Sequence, residues 1–436
     1  MNRLLTSHLV GGVQASLLLA GIIFIARQGH AQQPAGRLNA VNEPLTITKD
    51  WDKDREEMRQ FEAMYRGERP VTTDEDRAIL DNGAKWYAYR LTHLLYQEST
   101  GRNPMHELVK QAVSKVVDPH DTRRSPNANQ LTFKEEYDKR LISRLSEVMK
   151  NPKPIARVNA AMILTAIAAT GQEAVIDTLL EIVQDPQENE GVKLYALRGL
   201  TKFFETGQGE TPFKSQDHEA KAVRVLLDYV QRKPAKDAWT PSEAAAHSYI
   251  RNEAVTALGL TRYPAHSTIM KKVVTIDRMT ALALLRIIRK DGILPEPSPA
   301  EQINAVVSLS QLQARRCDEY QIDYAAYHVG RFIQDFLAAY NNRENLPFKL
   351  EWKVAAARLY QALDDLKTQA ERGSAKAYVA KLALAAQAQL KQVIDGKNPP
   401  ESQALNTYLD NNQPTNKTLF KDRPDTVVKE VENPAE

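Results

Sequence analysis

Three similar nine-residue phrases recur along this chain, and their spacing limits the folds that are open to it. They are "ARVNAAMIL", "VKLYALRGL" and "IRNEAVTAL". Each phrase contains a basic residue, an alanine three residues later and a leucine four residues after that. The three sets are Arg157, Ala160 and Leu164; Lys193, Ala196 and Leu200; and Arg251, Ala254 and Leu258. This spacing places the members of each set near one face of an α-helix.

The alanines give a physical reason for the repetition. A side chain this small lets two helices approach closely, and the leucine beside it fills the groove between them. The number of residues between Ala160 and Ala196 corresponds to one helix–turn–helix unit. The longer stretch between Ala196 and Ala254 corresponds to one such unit with an insertion. One helix pair cannot bury its apolar face alone, so neighbouring pairs must stack. The sequence therefore predicts an all-α fold of stacked antiparallel helix pairs.

The phrases and their flanks resemble the repeats of the HEAT family. The resemblance is carried by "NPKPIARVNAAMILTAIA", "VKLYALRGLTKF" and "YIRNEAVTALGL", and by the proline-containing turn just before Arg157. It covers residues 151–260, about a quarter of the chain. It implies an alpha-solenoid, in which paired antiparallel helices stack in series. The chain departs from the family pattern in its stretched second spacing and in the unbroken run that follows Ser298.

Apolar residues recur at helical spacing throughout the body of the chain, with almost no strand-like alternation. In the C-terminal half, the run from Ser298 to about Asn341 is predicted to be continuous, as part of a less regular helical bundle. The last residues are polar and non-periodic, which is typical of a disordered tail. The predicted regions are an N-terminal helical region at 51–150, HEAT-like repeats at 151–295, a long-helix region at 296–398 and a disordered tail at 399–436.

The first 31 residues have the pattern of a secretory signal peptide, and residues 32–50 are predicted to be a linker. Arg3 precedes an apolar stretch, and Gly29 and Ala31 supply the small residues expected before a cleavage site. The alternative is a retained membrane anchor, because the apolar stretch could nearly span a bilayer. Both interpretations place the body of the chain outside the cytoplasm. The near absence of cysteine then favours a secreted or periplasmic protein of a bacterial envelope.

Composition argues against several classes of partner and cofactor. Hydrophobic residues make up 42% and charged residues 26%, as in a folded soluble protein. The formal net charge is only +3, so the chain is not expected to bind nucleic acid, which needs a concentrated basic face. Cys317 is the single cysteine, which excludes a disulfide within the chain and a CxxC metal or redox motif. We expect it to be a buried, inert thiol.

We predict no catalytic, cofactor-binding or metal-binding residues. "HELVK" from His106 begins like a zinc-protease helix but lacks the second histidine at the required spacing. "DPHD" from Asp118 surrounds His120 with two carboxylates. We interpret it as a turn at a helix end, with a metal site as the alternative. The sequence has no GxSxG, GxxxxGK[ST] or GxGxxG motif. The glycines of "ETGQGETP" are interpreted as part of a flexible insertion.

The basic residues of the three phrases are the candidate partner-binding residues. In register, Arg157, Lys193 and Arg251 would form a row of positive charge along one edge of the stack, suited to an acidic segment. The alternative is that each packs its stem against the next helix and pairs with a local carboxylate. We predict a non-enzymatic scaffold that binds a protein or peptide. A helical hydrolase or lyase with an unrecognised site, and a membrane-tethered structural envelope protein, remain alternatives.

Overall fold

The computed structural model describes thirteen stretches of the chain. They are residues 44–47, 49–51, 53, 55–97, 104–117, 126–207, 210–233, 239–266, 279–342, 349–370, 373–399, 403–414 and 416–421. The predicted signal peptide or membrane anchor and most of the predicted linker lie outside these residues.

The described residues form helices that follow one another with short connections. The helices are α1 (Arg55–Tyr65), α2 (Asp74–Tyr89), α3 (Leu94–Gln97), α4 (Pro104–Val117), α5 (Ala128–Val148), α6 (Pro154–Ala168), α7 (Ile176–Gln184), α8 (Glu190–Thr206), α9 (Gln216–Val230), α10 (Pro241–Leu260), α11 (Thr280–Arg289), α12 (Pro299–Ser310), α13 (Ile322–Asn341), α14 (Lys349–Gln369), α15 (Gly373–Ile394) and α16 (Gln403–Asn411). No strand occurs in the described stretches, where a single antiparallel bridge joins Tyr320 and Phe420. The prediction of an all-α fold is confirmed for this part of the chain. None of its helices is both long and apolar enough to span a bilayer.

Local sequence signals fix where several helices begin. Capping boxes, in which the N-cap side chain and the third helical residue exchange hydrogen bonds with each other's backbone, open four of them. The pairs are Thr73 with Asp76, Asn127 with Gln130, Thr240 with Glu243, and Ser298 with Glu301. Proline occupies the first turn of α6, α10 and α12, where its missing N–H costs no hydrogen bond. These signals set the register of the helices discussed below.

The helices of the middle region contact one another in two series. We call α6, α8, α10, α12 and α14 the second row, because each follows its pairing partner in the chain. Every second-row helix packs against the next one, and α4 packs against the first of them. The helices α7, α9, α11 and α13 form the first row and also contact in sequence, although less extensively. Each helix of the first row contacts the second-row helix that follows it.

The repeated alanines and leucines are buried in the core, as the sequence predicts. Ala160, Ala196 and Ala254 are fully buried, and so are the three leucines that follow them. Glycines show how closely these helices approach. A Cβ atom added at Gly259 of α10 would lie 2.7 Å from Cα of Ser308 on α12. Only a residue without a side chain fits at this contact, because backbone atoms cannot move aside.

A fourth copy of the pattern occurs in α12, beyond the predicted repeat region. Gln302, Ala305 and Leu309 repeat the three-residue and four-residue spacings, and all three are buried. Glutamine replaces the basic residue, and its Nε2 donates a 2.7 Å hydrogen bond to the backbone oxygen of Ile288. The prediction of a continuous run from Ser298 to Asn341 is therefore wrong. The helix ends at Ser310, and α13 begins only at Ile322.

The predicted tail also needs correction. Its first part forms α16, in which Leu405 and Leu409 are fully buried. Farther along, Leu419 and Phe420 are buried as well, and the backbone N–H of Lys421 donates to the oxygen of Glu319. Residues 403–421 therefore contribute to the core, apart from position 415, which is not described. Residues 422–436 lie outside the described part of the chain.

Candidate functional site

The three predicted partner-binding residues lie inside the protein. Arg157 is 3% exposed, and Lys193 and Arg251 are completely buried. The expectation of an exposed row of basic residues is therefore corrected, and the geometry agrees with the alternative of local pairing. Each cation belongs to the packing between helices rather than to an open surface.

Arg157 and Arg251 connect successive second-row helices. The Nε of Arg157 lies 3.0 Å from an oxygen of Glu188, which directly precedes the N-cap of α8. The Nε of Arg251 lies 2.7 Å from an oxygen of Glu301, in the first turn of α12. The guanidinium of Arg251 also donates to the backbone oxygens of Leu294 and Pro295, at 3.0 and 2.9 Å. Both pairs are almost completely shielded from solvent.

Lys193 belongs to a polar cluster between α8, α9 and α10. Its Nζ lies 3.4 Å from Glu190, which also accepts hydrogen bonds from the Tyr229 hydroxyl at 2.9 Å and from Arg232 at 3.1 Å. Burial would raise the pKa of Glu190, but Lys193 and Arg232 outweigh that effect and lower it. Burial also lowers the pKa of Lys193, with partial compensation from Glu190. Glu190 is thus held as an anion that accepts from three donors.

His247 of α10 borders this cluster and is held neutral. Burial, reinforced by the charge of Arg251, lowers the pKa of His247 to about 3. Its ring lies 4.3 Å from that of Trp239 and 5.2 Å from that of Tyr229, and its Nε2 has no hydrogen-bond partner. A neutral imidazole enclosed by aromatic rings contributes packing without charge. Because it carries no extra proton near neutral pH, it cannot act there as a general acid.

Replacing His247 with glutamine is expected to reduce the loss of folding stability at acidic pH. Folded His247 stays neutral down to about pH 3, whereas a histidine in the unfolded chain takes up a proton near pH 6.5. Between these values the unfolded state binds more protons, so stability falls as the pH falls. From pH 7 to pH 4, urea unfolding should show wild type losing on the order of 3 kcal/mol more than His247→Gln. His106→Gln, at an exposed position of α4, should behave like wild type. Equal losses in wild type and His247→Gln would contradict a neutral His247.

The remaining motifs lie only in part within the residues that the structure describes. His106 is exposed on α4, and all of "DPHD", residues 118–121, lies outside the described residues. Cys317 is buried, and burial raises the pKa of its thiol, as expected of an inert cysteine. The described stretches contain no group of three or more histidine, cysteine, aspartate or glutamate residues placed to hold a metal ion.

A continuous line of side chains crosses the second row on its accessible side. We call it the second-row surface, and every member is half-buried or exposed. Its residues are Tyr195 and Arg198 of α8, Tyr249, Asn252 and Glu253 of α10, Asn304 of α12 and Arg358 of α14. It spans four successive helices of the second row.

Side-chain contacts hold this surface in one arrangement. Arg198 pairs with Glu253 at 3.0 Å and donates to the Tyr249 hydroxyl at 3.3 Å, so it bridges α8 and α10. Its guanidinium carbon also lies 5.5 Å from the ring centre of Tyr195, within the range of a cation–π contact. Tyr249 is 53% exposed, which is unusual for a large aromatic side chain.

The second half of the surface continues onto α12 and α14. The side-chain amides of Asn252 and Asn304 are hydrogen-bonded to each other, and Arg358 donates to Asn304. Neither asparagine nor Arg358 was singled out from the sequence. Each belongs to a different helix, and the position of Asn304 becomes evident only when α12 is recognised as the fourth copy of the pattern.

Comparison with protein-family models, with curated proteins and with solved structures finds no significant match to this chain.

Proposed function

We propose that the chain is a non-enzymatic, protein-binding scaffold built as an alpha-solenoid of the HEAT type. The order of contacts supports this architecture, because each second-row helix packs against the next and each first-row helix against its partner. Two hydrogen bonds also recur between repeats. Thr165 donates to the backbone oxygen of Tyr195, and Thr201 to that of Glu253, at 2.7 and 3.4 Å. Both threonines directly follow the repeated leucine, so successive units use the same contact.

The observation that carries the binding proposal is the composition of the second-row surface. Tyrosine and arginine are the residue types that, with tryptophan, dominate the energetics of protein interfaces. Here Tyr195, Arg198, Tyr249 and Arg358 lie along one line and are held by contacts among themselves and with neighbouring polar groups. A surface ordered before binding loses less conformational entropy when a partner docks. Solenoids offer extended surfaces of this kind.

The N-terminal segment supports a location in the bacterial envelope or the secreted space. Its charged start, apolar middle and small residues before Gln32 fit export. We therefore propose a protein or peptide partner on the far side of the membrane. Mass spectrometry of the exported chain distinguishes the two interpretations of the segment: an N-terminus at Gln32 indicates a cleaved signal peptide, and an intact Met1 indicates a membrane anchor.

Tyr249→Ala is expected to weaken partner binding roughly 30-fold, the effect of losing about 2 kcal/mol at a hot spot. The purified chain is used to select binders from a random peptide library, and affinities of the selected peptides are measured for wild type and variant. Because Tyr249 is more than half exposed, melting temperatures should agree. Leu384→Ala, which removes a 73% exposed side chain from α15, is the matched control and should bind normally. Selection of no peptide, or equal binding by Tyr249→Ala, contradicts the proposal.

A further inference from the structure

Two arginines on the C-terminal side of the second-row surface have no carboxylate within ion-pair distance among the described residues. Arg358 of α14 is exposed, and its hydrogen-bond partner is the side chain of Asn304. Arg262 follows the C-cap of α10, and its Nη1 donates a 3.4 Å hydrogen bond to the backbone oxygen of Gln311. The Nε of Arg262 is buried without a hydrogen-bond partner. Most other arginines of the second row have a carboxylate partner, such as Glu188, Glu253 or Glu301.

Both arginines border the line along which α12 packs against α14, which we call the groove between α12 and α14. Arg358 contacts Asn304. Arg262 contacts Gln311, and the negative charge of Asp365 acts to raise the pKa of Arg262. Gln311 follows Asn304 by seven residues along the chain of α12, and Asp365 follows Arg358 by seven along α14. Seven residues of α-helix rise about 10 Å, so the residues that the two arginines contact are separated by roughly that distance along the groove.

The environment leaves both cations incompletely compensated. Desolvation lowers the pKa of Arg358, although its side chain is exposed to solvent. Desolvation also lowers the pKa of Arg262, and Asp365 compensates only in part. Burial raises the pKa of Asp365 itself. An anion that entered this groove would gain charge-assisted hydrogen bonds without having to displace a carboxylate already paired there.

We propose that the groove between α12 and α14 binds an acidic peptide segment of the partner, with carboxylates seated on Arg358 and Arg262. This inference rests on the proposed function and specifies the chemistry of its partner. A peptide suits the site better than a nucleic acid or a membrane, because the net charge is only +3 and the adjoining surface includes Glu253 and two asparagines. Arg358 also belongs to the second-row surface through its contact with Asn304, so an extended segment seated on Arg358 can reach Tyr249 as well.

The peptide selection described above also tests this inference. The selected peptides should be enriched in aspartate and glutamate. Synthetic copies should bind Arg358→Gln at least tenfold more weakly than wild type, and their affinity for wild type should fall as salt rises from 50 to 500 mM. Arg358→Lys should recover part of the loss. Arg77→Gln, which removes an exposed arginine of α2, serves as the control for a general change of charge. Melting curves of all variants should coincide.

The outcomes separate this inference from the function on which it rests. Neutral or basic peptides that require Tyr249 but not Arg358 would overturn the acidic-segment inference and leave the scaffold proposal standing. Selection of no peptide would overturn both. Single-stranded nucleic acid or anionic phospholipid vesicles, tested in parallel, would overturn the inference if either bound more tightly than the acidic peptides and lost affinity in Arg358→Gln.

Discussion

Replacing Ala196 with arginine is expected to destroy the packing around α8 and to destabilise the chain by at least about 4 kcal/mol. Ala196 is fully buried in a helix that packs against α6 on one side and α10 on the other. Overfilling a packed core costs about 1–3 kcal/mol, and a buried charge without a partner costs roughly 3–5 kcal/mol more. Because repeats stabilise their neighbours, the damage should extend beyond α8.

Amide hydrogen exchange locates this damage along the chain. Amides of α6, α8 and α10 should lose protection in Ala196→Arg, while those of α1 and α2 should change less. Ala338→Arg introduces the same side chain at an exposed position of α13 and should melt within a few degrees of wild type. Wild-type melting of Ala196→Arg would contradict the burial of Ala196 in the packed core.

The second row could be predicted because its residues are local in sequence. Each set of basic residue, alanine and leucine lies within eight residues of one helix, so helical periodicity alone places the set on one face. The burial of all three repeated alanines bears this out. The fourth copy does not match the pattern of the other three, because Gln302 occupies the position of the basic residue. What the position requires is a long side chain that can donate a hydrogen bond while buried.

The sequence allowed local pairing of the basic residues as an alternative, but it could not identify their partners. Charged side chains are seldom buried, so exposure is the natural expectation for Arg157 and Arg251. Their partners, Glu188 and Glu301, lie about thirty and fifty residues farther along the chain, with no pattern that links them in advance. Burial of these pairs follows from the stacking of whole helices. For the same reason, the second-row surface has no local signature.

The error in the tail has a related cause. Residues 399–436 are polar on average, and average composition favours disorder. Yet four apolar residues are enough to anchor the described part, because α13 and α15 offer a surface on which α16 packs. Those residues are Leu405, Leu409, Leu419 and Phe420. A short segment with too few apolar residues to fold alone can still be ordered by a core that already exists.

Arg251→Met is expected to destabilise the junction between α10 and α12 by about 3–5 kcal/mol. Arg251 is completely buried, and its removal leaves the carboxylate of Glu301 uncompensated inside the protein. The backbone oxygens of Leu294 and Pro295 lose their donor at the same time. Chemical denaturation at pH 7 measures the loss. Methionine nearly matches the arginine stem in length and apolar character. The free energy of unfolding should therefore decrease mainly because the Glu301 carboxylate and the two backbone oxygens lose their donor.

A double-mutant cycle tests this explanation. Glutamine at position 301 preserves the capping box with Ser298 while removing the charge. The double variant Arg251→Met, Glu301→Gln should therefore lose less free energy of unfolding than the sum of the losses in the two single variants. The pair of Arg198 and Glu253 joins α8 to α10 in a comparable way but remains accessible to solvent. Arg198→Met should therefore cost only about 0–1 kcal/mol. If Arg251→Met cost no more than Arg198→Met, the buried pairs would have no special role in joining the repeats. Stacking would then depend on the alanine and leucine contacts alone.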